Sequence, residues 1–212
     1  MTNVQNVAIA PKQIKSSTSV SQNGVYRPIK TFMPVIDECI QALNTVLAKD
    51  FPLLDNCIWT TEWLNDFAIH QSVRTYTIVE VEENAGESLF YHLRAKGFRN
   101  VFLEPDTLLM ERYVSGVEDP IIIQKLLVRS PLMSIKIGND KTVKLPKLEK
   151  ILVDVYCDTI VFSAYKGHEQ DQIFKHVFKN YALDMKTLFA YAERRKRKTS
   201  LIQYLHFNDL LL

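Results

Sequence analysis

The stretch Val73-Arg74-Thr75-Tyr76-Thr77-Ile78-Val79-Glu80-Val81-Glu82 decides the fold class. Most of its residues are β-branched or aromatic, which favours an extended backbone. Val73, Val79 and Val81 fall on one face, Tyr76 and Ile78 on the other. A strand with apolar groups on both faces belongs inside a sheet that is covered on both sides. Downstream, residues 85–96 read as a helix and Asn100-Val101-Phe102-Leu103 as the next strand. Strand, helix and strand within roughly 30 residues is the size of a βαβ unit. A short helix near 106–113 leads to a second apolar run, Ile121-Ile122-Ile123. Residues 132–145 alternate around Gly138-Asn139-Asp140, the pattern of a β-hairpin.

Upstream, Ile36, Ile40, Leu43 and Leu47 recur at helical spacing, so a helix is expected over 33–50, starting near Pro34 and stopping before Pro52. The apolar run Cys57-Ile58-Trp59 follows, and Thr61 is the expected N-cap of a short helix over 62–67. From residue 147 the period is helical. Leu148, Ile151, Leu152 and Val155 make one stripe, and Ile173, Phe174, Val177, Phe178 and Tyr181 a second. Leu188 with Ala192 marks a third, and Leu201, Ile202 and Leu205 a fourth. The expected class is α/β (α+β): a mixed β-sheet with flanking helices and a helical C-terminal third. Residues 1–22 are polar and cannot bury enough surface to offset ordering entropy, so a disordered leader is expected there. A short element over 23–32 and one α/β domain over 33–212 complete the layout.

Composition narrows the function classes. Six glycines among 212 residues argue against glycine-rich phosphate loops, and neither GxGxxG nor GxxxxGK[ST] occurs. A net charge of +2 specifies no partner. Cys39, Cys57 and Cys157 are odd in number and widely spaced, as reduced thiols of a cytoplasmic protein would be. No stretch approaches the ~18 apolar residues of a membrane span. The N-terminus also lacks the basic and apolar regions of a secretory signal.

The search for chemistry is mostly negative. His70, His92, His168, His176 and His206 are scattered without metal-ligand spacing. There is no GxSxG, and Cys157 sits in an apolar helix-end context. A restriction-type nuclease needs an acid and then an acid-x-Lys triplet on a buried strand to hold Mg²⁺. Glu80 and Glu82 supply acids without the lysine, and Ile123-Gln124-Lys125 supplies the lysine without the acid. The bland alternative for Glu80 and Glu82 is a strand end that reaches solvent or pairs with a basic neighbour. No catalytic residue, metal or cofactor is assigned. The one marked charge feature is Arg194-Arg195-Lys196-Arg197-Lys198, at or within a helix end. It reads either as a solvated helix end or as a patch for DNA or RNA phosphates, with Arg27 and Lys30 as further candidates.

Several segments, taken in order, carry a resemblance. They are NGVYRPIKTFMP (23–34), CIWTTEWLNDFAIHQ (57–71), YTIVEVE (76–82), VFLEP (101–105), LPKLEKILVDVYCD (145–158) and YAERRKRK (191–198). The succession resembles the antitoxins of bacterial abortive-infection E systems, the AbiEi-like proteins of type IV toxin–antitoxin pairs used in phage defence. The resemblance implies a non-enzymatic protein that counteracts a nucleotidyltransferase-like toxin encoded nearby. It also implies an N-terminal winged helix-turn-helix that represses the operon. NGVYRP looks like the wing of such a head, but residues 1–22 lack the apolar period of its helices. The resemblance therefore implies a truncated head over 23–32 without a major-groove recognition helix. The alternatives are a nucleic-acid-binding regulator that uses the basic run, and a decayed nuclease-like fold.

Overall fold

The computed structural model describes residues 18–20, 26–70, 74–137 and 141–211. Val73 and the Gly138-Asn139-Asp140 turn of the expected hairpin lie outside them, as does most of the expected leader. Within that leader, β1 (Thr18–Val20) pairs antiparallel with β2 (Tyr26–Pro28), in a register that sets Ser19 opposite Arg27.

The central sheet has four strands. β3 (Asn56–Thr60) is antiparallel to β4 (Thr77–Val81). β4, β6 (Ile121–Lys125) and β5 (Val101–Leu103) then run parallel, in the order β3-β4-β6-β5. Every residue of β4 is buried, as an interior strand requires. The expected βαβ unit forms through α2 (Gly86–Ala95), but its two strands are not neighbours, because β6 lies between them. The physical reason is apolar content. Ile121, Ile122 and Ile123 are all buried in the interior slot, whereas Phe102 and Leu103 are only half-buried at the edge. α3 (Thr107–Arg112) is capped by Asp106, whose Oδ1 accepts from the Leu109 amide at 2.8 Å, and leads from β5 to β6.

α1 (Glu38–Asp50) starts later than Pro34, because Asp37 takes the cap and accepts from the Ile40 amide at 2.7 Å. The expected cap at Thr61 is also displaced. Thr60 Oγ1 accepts from the Glu62 amide, while Thr61 Oγ1 accepts from the Tyr76 amide at 2.8 Å. The short helix over Thr61–Asp66 is a 3₁₀ helix. Ahead of α1, the chain is tied to the body. Lys30 donates its amide to the Asn180 carbonyl, Phe32 packs edge-on to Trp63, and Trp63 Nε1 donates to the Val35 carbonyl. The hairpin of β7 (Leu132–Ile137) and β8 (Lys141–Pro146) lies along the β3 side of the sheet.

The C-terminal third is helical, as expected: α4 (Leu148–Cys157), α5 (His168–Asn180), α6 (Met185–Arg194) and α7 (Lys198–Phe207). α4 is the exception to simple amphipathicity. All its residues from Leu148 to Val155 are buried, including Glu149, Lys150 and Asp154. It is enclosed by the sheet on one side and by α5 and α6 on the other. Its polar face therefore has to be satisfied from within the protein. Among the described residues, no helix is long and apolar enough to cross a membrane.

Candidate functional site

Strand register places Cys57, Trp59, Ile78, Glu80, Ile122 and Gln124 on one face of the sheet. α4 packs over that face and brings Lys150 directly onto Glu80. Lys150 Nζ lies 2.5 and 2.7 Å from the two carboxylate oxygens of Glu80 and 2.6 Å from Asp154 Oδ2. The remaining partners come from elsewhere. Trp59 Nε1 donates to Glu80 Oε1 at 2.9 Å, and the Tyr191 hydroxyl donates to Asp154 Oδ1 at 2.9 Å. Arg195 Nε stands 3.6 Å from the same Asp154 oxygen. The Lys150 ammonium also sits over the Trp59 and Tyr191 rings, at 6.0 and 5.7 Å from their centroids.

Two carboxylates and two cations make the cluster neutral. Its lysine is fully buried. Burial alone lowers the affinity of Lys150 for its proton. Asp154 and Glu80 outweigh burial and hold its pKa well above that of ordinary lysine. Burial and the Asp154 charge push the Tyr191 hydroxyl far up. Burial, and then the Glu80 charge, raise the Cys57 thiol well above its usual range, so it is a neutral core group.

Beside the cluster, at the carboxyl ends of β4 and β6, lies a cavity of about 280 Å³ lined in part by Glu80, Gln124, Asp154, Asp158 and Arg195. This is where open α/β sheets present crevices. Gln124 Nε2 donates to Asp158 Oδ2 at 3.2 Å, and Asp158 Oδ1 accepts from the amides of Ile160 and Val161. The two half-sites of the nuclease pattern turn out to be neighbours, since Glu80 pairs in register with Gln124 and Val81 with Lys125. They do not assemble. Glu80 is held by Lys150 and Trp59, and Lys125 forms an ion pair with Glu83. Among the described residues, no group of three or more His, Cys, Asp or Glu side chains could hold a metal ion. His70 pairs with Glu169, and His92 with Asp50 at 2.8 Å.

The basic run is not one helix. Arg194 ends α6, Arg195 to Arg197 form a turn, and Lys198 begins α7. The run is also divided in its partners. Arg195 turns inward to Asp154, and Lys198 pairs with Glu193 at 3.3 Å. Arg194 donates from its guanidinium to the Arg129 carbonyl. Arg194, Lys196 and Arg197 are exposed and form no ion pair among the described residues. Lys30 is elsewhere. Its backbone bridges Asn180 and Ala182, ahead of α6, so the length of that helix, about 15 Å, separates it from the turn. Arg27 lies on β2.

Reading the sequence alone missed Lys150, Asp154 and Tyr191. The available signal was Glu80 within a strand apolar on both faces, because a carboxylate there demands a cation. The chain belongs to DUF6577, a family of unknown function whose model matches residues 12–210. No curated protein matches it.

Proposed function

We propose that the chain is an antitoxin-like protein of a type IV toxin–antitoxin system. Its α/β body counteracts a nucleotidyltransferase-like toxin as a binding scaffold and not as an enzyme. One observation carries this reading: four of the six segments that resemble the AbiEi-like antitoxins converge on a single cluster. CIWTTEWLND supplies Trp59, YTIVEVE supplies Glu80, LPKLEKILVDVYCD supplies Lys150 and Asp154, and YAERRKRK supplies Tyr191 and Arg195. VFLEP adds Glu104 at the rim of the adjoining cavity.

Motifs scattered over about two-thirds of the chain thus describe one piece of architecture, which ties sheet, α4 and α6 together. The same cluster supports a non-enzymatic role. An acid and a lysine that could serve chemistry are closed on each other, with all three protons of the Lys150 ammonium given to Glu80 and Asp154.

The test is co-expression with a nucleotidyltransferase gene encoded beside this one. Growth restored by the chain supports the proposal. Continued arrest with both proteins soluble and present sinks it.

A further inference from the structure

The contact between Arg194 and Arg129 joins two basic segments that lie 65 residues apart. It docks the α6–α7 turn on the loop that follows β6. Arg129 is exposed and forms no ion pair among the described residues, as is also true of Arg194, Lys196 and Arg197. Arg194 thus meets the backbone of Arg129, and Lys196 and Arg197 follow Arg194 by two and three residues in the turn, so four cations without acidic partners among the described residues occur within the turn and the loop it touches.

The surface is concave as well as basic. A depression of about 500 Å³ is lined by Lys196, Arg197 and Lys198 together with Thr199, Ser200, Gln203 and Glu193. Every one of these side chains is polar, so nothing in the depression would enter a lipid phase. No side chain caps the start of α7, whose first residues, Lys198, Thr199 and Ser200, are among those that line the depression. Hydroxyls, an amide and flexible cations are donors that phosphate oxygens use, and Glu193, the one acid of the lining, is held by Lys198.

We infer that the α6–α7 turn and the 127–130 loop form one binding surface for a phosphodiester backbone, with Arg129, Arg194, Lys196 and Arg197 as its phosphate contacts. The surface reads backbone charge, since phosphate contacts by cations position a chain without carrying base sequence. It is independent of the antitoxin proposal: loss of this binding leaves growth rescue to be scored separately.

The experiment is fluorescence anisotropy of the full chain against a 20-base-pair DNA duplex and a 20-nucleotide single-stranded RNA, from about 50 to 200 mM salt. If all four cations contact duplex phosphates, log K falls against log salt with a slope of about −3.6, so that affinity drops roughly a hundredfold over this range. Arg129→Gln makes the slope less negative by about 0.9. The quadruple Gln variant loses salt-dependent binding, while Lys144→Gln, which removes a lysine paired with Asp55, leaves it intact. Tighter binding of one probe at equal salt identifies DNA or RNA as the source of the backbone.

Three results would each overturn the inference: no saturable binding of either probe at 50 mM salt, an unchanged quadruple variant, or an Arg129→Gln slope equal to wild type. Equal affinity for a poly-glutamate peptide of matched charge would also overturn it, in favour of an acidic protein partner. Circular dichroism checks that each variant is folded, and if the quadruple variant is not, the single variants Arg129→Gln and Lys196→Gln decide.

Discussion

The cluster around Lys150 and the turn over residues 194–198 treat charge in opposite ways, although Arg195 belongs to both. In the cluster, two carboxylates face two cations at hydrogen-bond or near-contact distance; Glu80, Lys150 and Asp154 are buried, and Arg195 is half-buried at the edge. In the turn, Arg194, Lys196 and Arg197 have no acidic partner among the described residues and are left in solvent. Buried ions must be matched, because the desolvation cost is several kcal/mol per ion. Exposed ions can remain unmatched, because water and salt screen them. The first arrangement therefore governs whether the protein folds, and the second what it can attract.

The sharpest way to break the contrast is to remove the central cation. Lys150→Met leaves Glu80 and Asp154 buried and facing each other. It should cost about 3–5 kcal/mol, as breaking buried ion pairs does, and urea unfolding would measure it. A loss below about 1 kcal/mol would mean that the cluster is hydrated in solution. The next largest effect is the recovery expected when the charges go together. The triple variant Glu80→Met, Lys150→Met, Asp154→Leu should regain much of that loss, because no carboxylate is left buried without a cation, and Arg195, which loses Asp154, is partly exposed to solvent. Trp59 Nε1 and the Tyr191 hydroxyl then lack their acceptors. Full recovery is therefore not expected.

A smaller effect follows from pH. The folded-state pKa values of Lys150 and Tyr191 are both raised, so the native state holds these protons more tightly than the unfolded chain. Their contribution to stability is therefore complete below the ordinary values of these groups, about 10, and declines as pH rises above them. Urea midpoints should begin to decline above about pH 8.5, where the raised Cys57 thiol contributes, and fall more steeply beyond pH 10. Tyr191→Phe should make that fall shallower. At pH 8 the same variant should lose about 1.5–3 kcal/mol with its hydrogen bond to the Asp154 carboxylate.

Much of the fold was legible because local patterns are periodic. The buried strand, the four C-terminal helical stripes and the hairpin all appear where residue spacing sets them. Sheet order was not legible, because a three-residue apolar edge strand and a five-residue interior strand look alike until they compete for the central slot. Thr60 and Thr61 are equally good caps by composition, and only the nearby Tyr76 amide decides between them. The cluster was hidden for a related reason. Lys150 and Asp154, four apart on α4, form the ordinary pattern of a solvated helix face. Only the enclosure of α4 turns that face inward. The basic run was visible, but its division was not. The spacing of five consecutive cations does not reveal that one of them turns in to Asp154 or that another meets a loop 65 residues away.

The smallest expected effect concerns how the turn is held open. α2 and α6 end alike. After α2, Phe98 donates its amide to the Leu93 carbonyl and Gly97 to Arg94, with Gly97 at φ 95°. After α6, Arg197 donates to Ala192 and Lys196 to Glu193, with Lys196 at φ 55°. Both are Schellman closures, which require a left-handed residue just beyond the helix and favour glycine there. Lysine in that conformation is strained by roughly 1 kcal/mol. Part of this is returned because lysine has less freedom than glycine in the unfolded chain. Lys196→Gly should therefore stabilise the fold by about 0.5 kcal/mol while removing one phosphate contact. The two readouts move in opposite directions, with a higher urea midpoint but a salt slope less negative by about 0.9. A higher midpoint with an unchanged slope would make Lys196 a helix terminus only. A lower midpoint would mean that its side chain has a structural partner in solution, and the contrast between matched and unmatched charge would then fail at this residue.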